Sequence, residues 1–308
     1  MMLVEARRFL HVCYCCGDAD AAARFLCEGL ALRVAMRTAG GRSDGSILGF
    51  EGEIDTEAVF VCDGRGPRTS PALEVQGWID PAPVGERYAE PHHVGIQAIG
   101  IAVRDPAARL EHLARLGCQP VGRSQHAAEI LGGRGAALRD PLGIGVDLVE
   151  TADLGAGETR LHHLRLTCTD LDRSVDWYAG VGFELLERHE QVSMRRALLG
   201  STPGRVRVAR MRLPDEPLTL ILLQWLDPPV LGRPYREPNH VGLYRVAIGV
   251  DDSRDAVRRL ERAGWAIERQ PRLVELRGTK VPEMWIAFLC DPDGVPVELV
   301  ERPRSAFR

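Results

Sequence analysis

Apolar residues alternate with small and polar ones along short runs, and four of these runs end at an aspartate followed by an amphipathic stretch. Positions 11–16, 98–103, 163–169 and 245–250 read as strands. Positions 19–28, 106–116, 171–179 and 254–263 read as helices, with apolar residues recurring at helical spacing. Asp18, Asp105, Asp170 and Asp252 stand where a helix N-cap belongs. A carboxylate there accepts hydrogen bonds from free backbone N–H groups and complements the helix dipole. Gly29, Gly117, Gly180 and Gly264 stand where the helices should stop. Each helix is followed by Val-, Leu- and Ile-rich runs broken by Gly and Pro, which read as three strands. The pattern βαβββ therefore occurs four times, an α+β chain.

The four units fall into two halves. Asp18-Ala19-Asp20 through Phe25 matches Asp170-Leu171-Asp172 through Trp177-Tyr178. Trp78-Ile79-Asp80-Pro81 matches Trp225-Leu226-Asp227-Pro228, and Glu90-Pro91-His92-His93-Val94-Gly95 matches Glu237-Pro238-Asn239-His240-Val241-Gly242. Asp140-Pro141-Leu142-Gly143 and Asp147 match Asp291-Pro292-Asp293-Gly294 and Glu298. Blocks kept in one order at a nearly constant offset mark a tandem duplication. The first module spans 1–150, with units near 8–80 and 95–150. A small, polar linker follows at 151–160. The second module spans 161–308, with units near 161–228 and 242–302.

Composition narrows the function. The 308 residues are 45% hydrophobic and 27% charged, with a net charge of -4, the balance of a globular protein. No basic stripe suggests nucleic acid and no Lys/Arg block suggests a membrane surface. No apolar run reaches the ~20 residues of a membrane span, and the first ten residues lack the apolar core of a secretory signal. The eight cysteines show no framework spacing, so free thiols in the cytoplasm are expected. Cys13 and Cys15 share a strand face, a possible pair for a soft metal, but no second Cys/His pair completes a tetrahedron. Arg205, Arg207 and Arg210 read as a solvated strand face.

The His11-to-Asp18 and His163-to-Asp170 openings, and the Asp-Pro-x-Gly turns that precede Asp147 and Glu298, resemble the vicinal oxygen chelate superfamily. That group includes glyoxalases, bleomycin-resistance proteins and extradiol dioxygenases. The resemblance covers nearly the whole chain. It implies paired βαβββ units curled into open barrels, with a divalent metal held by the first and last strands of each unit. Position by position, it implies His11, Glu74 and Asp147 as metal ligands in the first module, with Ala98 at the fourth place. In the second module the places are His163, Ile221, Arg245 and Glu298, so His163 and Glu298 form a second candidate pair.

Such a donor set suits Fe, Mn, Ni, Co or Zn, acting as a Lewis acid on a small oxygenated molecule. The expected chemistry is of dioxygenase, lyase or isomerase type. A metal-free small-molecule binding or resistance protein is the alternative, favoured by Ala98, Ile221 and Arg245. Arg245 is a guanidinium with no lone pair for a metal. It suits an ion pair with Glu298 or a clamp on a substrate anion. His93 and His240, with His92, are candidate acid–base groups, since imidazole titrates near neutrality; support of a repeated turn is the plainer role. Trp78 and Trp225 are candidate ligand-stacking residues or rim packing. The Pro-rich segments 79–94 and 226–241 are candidate lids. The expected partner is a small molecule, and a homodimer is compatible with this reading.

Overall fold

The structure, a computed structural model, describes residues 2–124, 128–155, 157–194, 203–276, 278–279 and 283–301. Ala156 of the linker and the end of the second module beyond Glu301 lie outside them. The first unit comprises β1 (Arg8–Cys16), α1 (Ala19–Leu30), β2 (Arg33–Arg37), β3 (Gly41–Asp44), β4 (Glu53–Cys62) and β5 (Ala72–Asp80). The second comprises β6 (Gly95–Val103), α2 (Pro106–Arg115), β7 (Gln119–Ser124), α3 (Ala128–Leu131), β8 (Gly135–Arg139) and β9 (Gly145–Glu150). The third comprises β10 (Thr159–Thr167), α4 (Leu171–Gly180), β11 (Glu184–Met194), β12 (Gly204–Arg212) and β13 (Thr219–Asp227). The fourth comprises β14 (Gly242–Val250), α5 (Ser253–Arg262), β15 (Arg269–Glu275), β16 (Glu283–Cys290) and β17 (Pro296–Glu301).

All four aspartates cap their helices as the pattern predicts. Asp18 accepts from the Ala21 N–H at 2.8 Å, and Asp252 from Asp255 at 2.8 Å. Asp105 accepts from Ala107 and Ala108, and Asp170 from Arg173. The glycines divide into two kinds. Gly117 and Gly264 do follow their helices with positive φ. Gly29 and Gly180 instead lie inside theirs. A Cβ on Gly29 would come within 2.9 Å of Leu113, and one on Gly180 within 2.7 Å of Trp265. These two positions are small because another unit packs against them.

Within each unit the first and last strands pair in parallel: β1 with β5, β6 with β9, β10 with β13 and β14 with β17. The units then join in antiparallel fashion across the two halves of the sequence. β1 pairs with β14, and β10 with β6. A nine-stranded sheet therefore holds units one and four, and an eight-stranded sheet holds units two and three. One apolar core, with Phe9, Val12 and Tyr14 from the first sheet and Ile99, Ile101 and Leu164 from the second, joins them with the helices. The opposite face of each curled sheet forms a cup.

The candidate lids hook onto each other. The Val84 N–H donates to the Asn239 carbonyl, and the Val241 N–H to Val84, both at 3.0 Å. Symmetrically, Val94 donates to the Leu231 carbonyl and Leu231 to that of His92. The Tyr88 ring stacks on His93 at 3.4 Å and on Tyr235 at 4.1 Å, and Tyr235 stacks on His240 at 4.0 Å. Gly85 and Gly232, both with positive φ, let the rings of His240 and His93 lie against the backbone, where any Cβ would collide with them. The two segments make a reciprocal clasp, with backbone exchange fixing each one.

Candidate functional site

The first cup lies on the nine-stranded sheet. His11 on β1 pairs laterally with Ala247 on β14, which pairs with Glu298 on β17. Two residues further along β1, Cys13 pairs with Glu74 on β5. Strand alternation puts His11, Cys13, Glu74 and Gln76 on one face. A register shift in β14 brings Arg245 to the same place. Its Nε donates to Glu298 Oε2 at 2.8 Å and its Nη2 to Glu74 Oε2 at 2.7 Å. Its Nη1 donates to Gln76 Oε1 at 3.1 Å and to the Cys13 sulfur at 3.3 Å. His11 Nε2 lies 3.4 Å from Glu74 Oε2 and 3.7 Å from Glu298 Oε2. It is buried and makes no well-formed hydrogen bond. Phe60 meets the His11 ring edge-on at 5.4 Å. Leu10, Ile47, Leu48, Phe50 and Met284, all half-buried like Phe60, pack against apolar clusters that include Cys13 and Ala247 of this sheet.

The electrostatics follow from burial and proximity. Burial would raise the Glu298 carboxyl, but the charge of Arg245 and the contact with His11 outweigh it and hold the group at about 2. Burial likewise opposes the charge on Arg245, yet its partners keep the guanidinium well above its ordinary range. Burial pushes the Cys13 thiol far up, so at neutral pH it is uncharged and the two carboxylates carry that stabilisation. Two carboxylates face one guanidinium and one imidazole on the floor of the cup.

The second cup repeats the row with other residues. His163 on β10 pairs with Gly100 on β6, which pairs with Asp147 on β9. Arg165 stands where the first cup has Cys13, beside Ala98 and Ile221. Its Nε and Nη2 hold both oxygens of Asp147, at 2.7 and 3.1 Å, and His163 Nε2 is 3.2 Å from the same carboxylate. Burial opposes ionisation of Asp147, but Arg165 and His163 outweigh it and hold it at about 2. One carboxylate balances one guanidinium. Around them Ile130, Leu131, Val149, Val206, Val208, Ile221, Leu223 and Trp225 are all buried.

Residues 160–299 match the model of the Glyoxalase/Bleomycin resistance protein/Dioxygenase superfamily. The lactoylglutathione lyase of Escherichia coli O157:H7 is 30% identical over 146 residues, which are 46% of this chain and 92% of that protein. The chain belongs to the glyoxalase/bleomycin resistance protein/dioxygenase superfamily. Glyoxalase I from Zea mays, at 20% identity, superposes with a TM-score of 0.65 over 96% of this chain and 92% of its own. A dioxygenase-named structure from Bacillus subtilis does so with a TM-score of 0.60 at 13% identity, covering 99% and 87%. These likenesses show that the two-module glyoxalase-like fold runs through the whole chain.

For this superfamily member the expected ligand sets require correction. Asp147 is not brought to His11 and Glu74, nor Glu298 to His163, because the units pair across the halves and place them in different sheets. The set that does converge is His11, Glu74 and Glu298, with Arg245 among them. It does not fit a divalent metal. The oxygens that a metal would need are engaged by a guanidinium, which cannot itself be a ligand. Among the described residues no group of three His, Cys, Asp or Glu has metal-holding geometry. Cys13 and Cys15, with sulfurs 3.5 Å apart, also lack a third partner of that kind.

The other candidates occupy structural surroundings. His93 and His240 belong to the clasp, with Nδ1 at 3.0 and 2.9 Å from the carbonyls of Val94 and Val241. Burial is the main reason His93 titrates below its ordinary range. Trp78 and Trp225 are each 2% exposed, Trp78 packed on Phe50 and Trp225 beside His92. Sequence reasoning missed Arg165, Phe60, Tyr88 and Tyr235. Arg165 carried a signal: it is a charge on the inward face of a strand, two residues after His163. A surface concavity of about 1020 Å³ beside α2 is lined by Arg104, Arg109, His112, Arg134 and Glu150. Its charges pair locally, Arg134 with Glu150 and Arg109 with backbone carbonyls. We therefore place the site in the first cup. No described helix is long and apolar enough to cross a membrane.

Proposed function

We propose that this superfamily member binds a small oxygenated molecule in the first cup, between its half-buried apolar residues and the floor formed by His11, Glu74, Gln76, Arg245 and Glu298. The observation that carries this reading is the buried Nε2 of His11, which lacks a formed hydrogen bond beside two carboxylates that outnumber their guanidinium. A buried polar atom without a partner costs about 1–3 kcal/mol, and a ligand hydroxyl or amine satisfies it. Leu48, Phe50 and Phe60 would grip the ligand's apolar body. His11 is the acid–base candidate of the cup, and Arg245 orients Glu74 and Glu298 around it. The ion-paired, apolar second cup serves as scaffold. Each cup is built from strands of a single chain. The lyase activity named for the relatives is not carried over, because Arg245 engages both carboxylates here.

The test is thermal denaturation with a panel of phenols, catechols and hydroxy-carbonyl compounds. A ligand at roughly one hundred times its Kd adds about 2.7 kcal/mol, a shift of several degrees. The shift should disappear in His11→Ala and persist in His163→Ala. Loss in His163→Ala alone would overturn the assignment of the cup, and a panel without effect would overturn it for these ligand classes.

A further inference from the structure

We propose that an arginine guanidinium has taken the place of a cation in both cups, arriving from opposite strands of the central antiparallel pair, and that Arg245 closes a latent divalent-metal site formed by His11, Glu74 and Glu298. The duplication makes the argument residue by residue. His11 corresponds to His163, Cys13 to Arg165, Glu74 to Ile221, Arg245 to Ala98, Ala247 to Gly100 and Glu298 to Asp147. In the first cup the arginine comes from β14 and faces the small Cys13 of β1. In the second it comes from β10 and faces the small Ala98 of β6. Each cup holds one guanidinium among the described residues.

The carboxylates explain why the position draws a cation. Glu298 and Asp147 hold equivalent places on the last strands, buried and ionised, and a buried carboxylate requires a positive partner. In the first cup Nε and Nη2 of Arg245 bind one oxygen from each glutamate. His11 Nε2 lies 3.4 and 3.7 Å from those same two oxygens. Nitrogen and oxygens at these separations can converge on one ion after small rotamer changes. The guanidinium lies in that approach, and its permanent charge repels a metal. The second cup has only His163 and Asp147 to offer, with Ile221 in place of the second glutamate, so it holds no latent site. The inference is independent of which organic ligand the first cup binds.

The experiment is metal uptake by the full-length, tag-free chain. Wild type, Arg245→His, Arg245→His with His11→Ala, and Arg165→Ala are equilibrated with Co(II), Ni(II) or Zn(II), dialysed, and measured by plasma mass spectrometry, with folding checked by circular dichroism. Wild type should retain less than about a tenth of an equivalent. Arg245→His should retain about one equivalent and show Co(II) ligand-field bands. That uptake should fall at least about tenfold when His11 is also removed, and Arg165→Ala, which leaves only His163 and Asp147 as donors, should bind none. One equivalent in wild type would overturn the inference whether or not any variant folds. A folded Arg245→His that takes up no metal would overturn the latent site.

Discussion

In the first cup two carboxylates face one guanidinium; in the second one carboxylate faces one. The two share a strand order and descend from one repeat, so the difference lies in a few side chains. Ile221 in place of Glu74 removes one carboxylate from the second cup, where a cluster of buried apolar residues includes Ile221. His163 Nε2 there contacts Asp147, whereas His11 Nε2 makes no well-formed bond. A charge-balanced, apolar cup behaves as core. A cup with a second carboxylate, an imidazole nitrogen without a formed hydrogen bond and half-buried apolar neighbours retains the means to act on a ligand.

The strongest test of this contrast is removal of each last-strand carboxylate. Asp147→Ala leaves Arg165 buried with no carboxylate and should cost about 3–5 kcal/mol. Glu298→Ala leaves Arg245 still paired with Glu74, and the loss should be about 1–2 kcal/mol. Chemical denaturation reads both; equal losses would remove the distinction between scaffold and site. A smaller effect is expected in the middle of each row. A Cβ on Gly100 would collide with the His163 ring, so Gly100→Ala should cost about 1–3 kcal/mol. Ala247→Gly, at the equivalent place, should cost about 1 kcal/mol or less. A harmless Gly100→Ala would mean that His163 is free to move as a site residue.

The mildest expected effect is on pH dependence, which the cups and the turns beside them drive in opposite directions. Asp147 and Glu298 are held at about 2, below their ordinary values. Each contributes stability that is present above about 4.5 and is lost as pH falls through about 2. Burial raises Asp140 and Asp291 to about 6. Their contribution is full below about 4 and is lost as pH rises through about 6. The melting temperature should therefore peak on the acid side of neutrality. Asp291→Asn should flatten the neutral limb by a few degrees. A wild-type melting temperature that climbs steadily from pH 5 to 8 would contradict the raised carboxyls.

The repeat, the unit pattern and the four Asp caps were legible because each is written in local spacing. Glu74 was found from its strand, and the Arg245–Glu298 pair from chemistry alone. The composition of each cup was not legible. The repeat shows which units are alike, but β1 presents the same kind of edge to β6 as to β14, and only tertiary packing chooses between them. That choice moved Asp147 away from His11 and brought Glu298 in. Arg165 was overlooked although it lies two residues after His163 and therefore on the same strand face. The clasp histidines looked like acid–base groups because their ring contacts, Tyr88 and Tyr235, come partly from the other half of the chain.

The cross-half pairing also sets an order of assembly during synthesis. Val103 and its neighbour Thr159 are 159 − 103 = 56 residues apart. Arg8 and its neighbour Gly249 are 249 − 8 = 241 residues apart. On the ribosome the second sheet can close while the fourth unit is still being made, and β1 must wait with an unpaired edge until β14 emerges. Long-range pairing of this kind forms late and slowly, and an open edge invites the wrong neighbour. The inert cup is thus ready first and can template the chain, and the cup with the second carboxylate comes into being only once β14 and β17 have emerged.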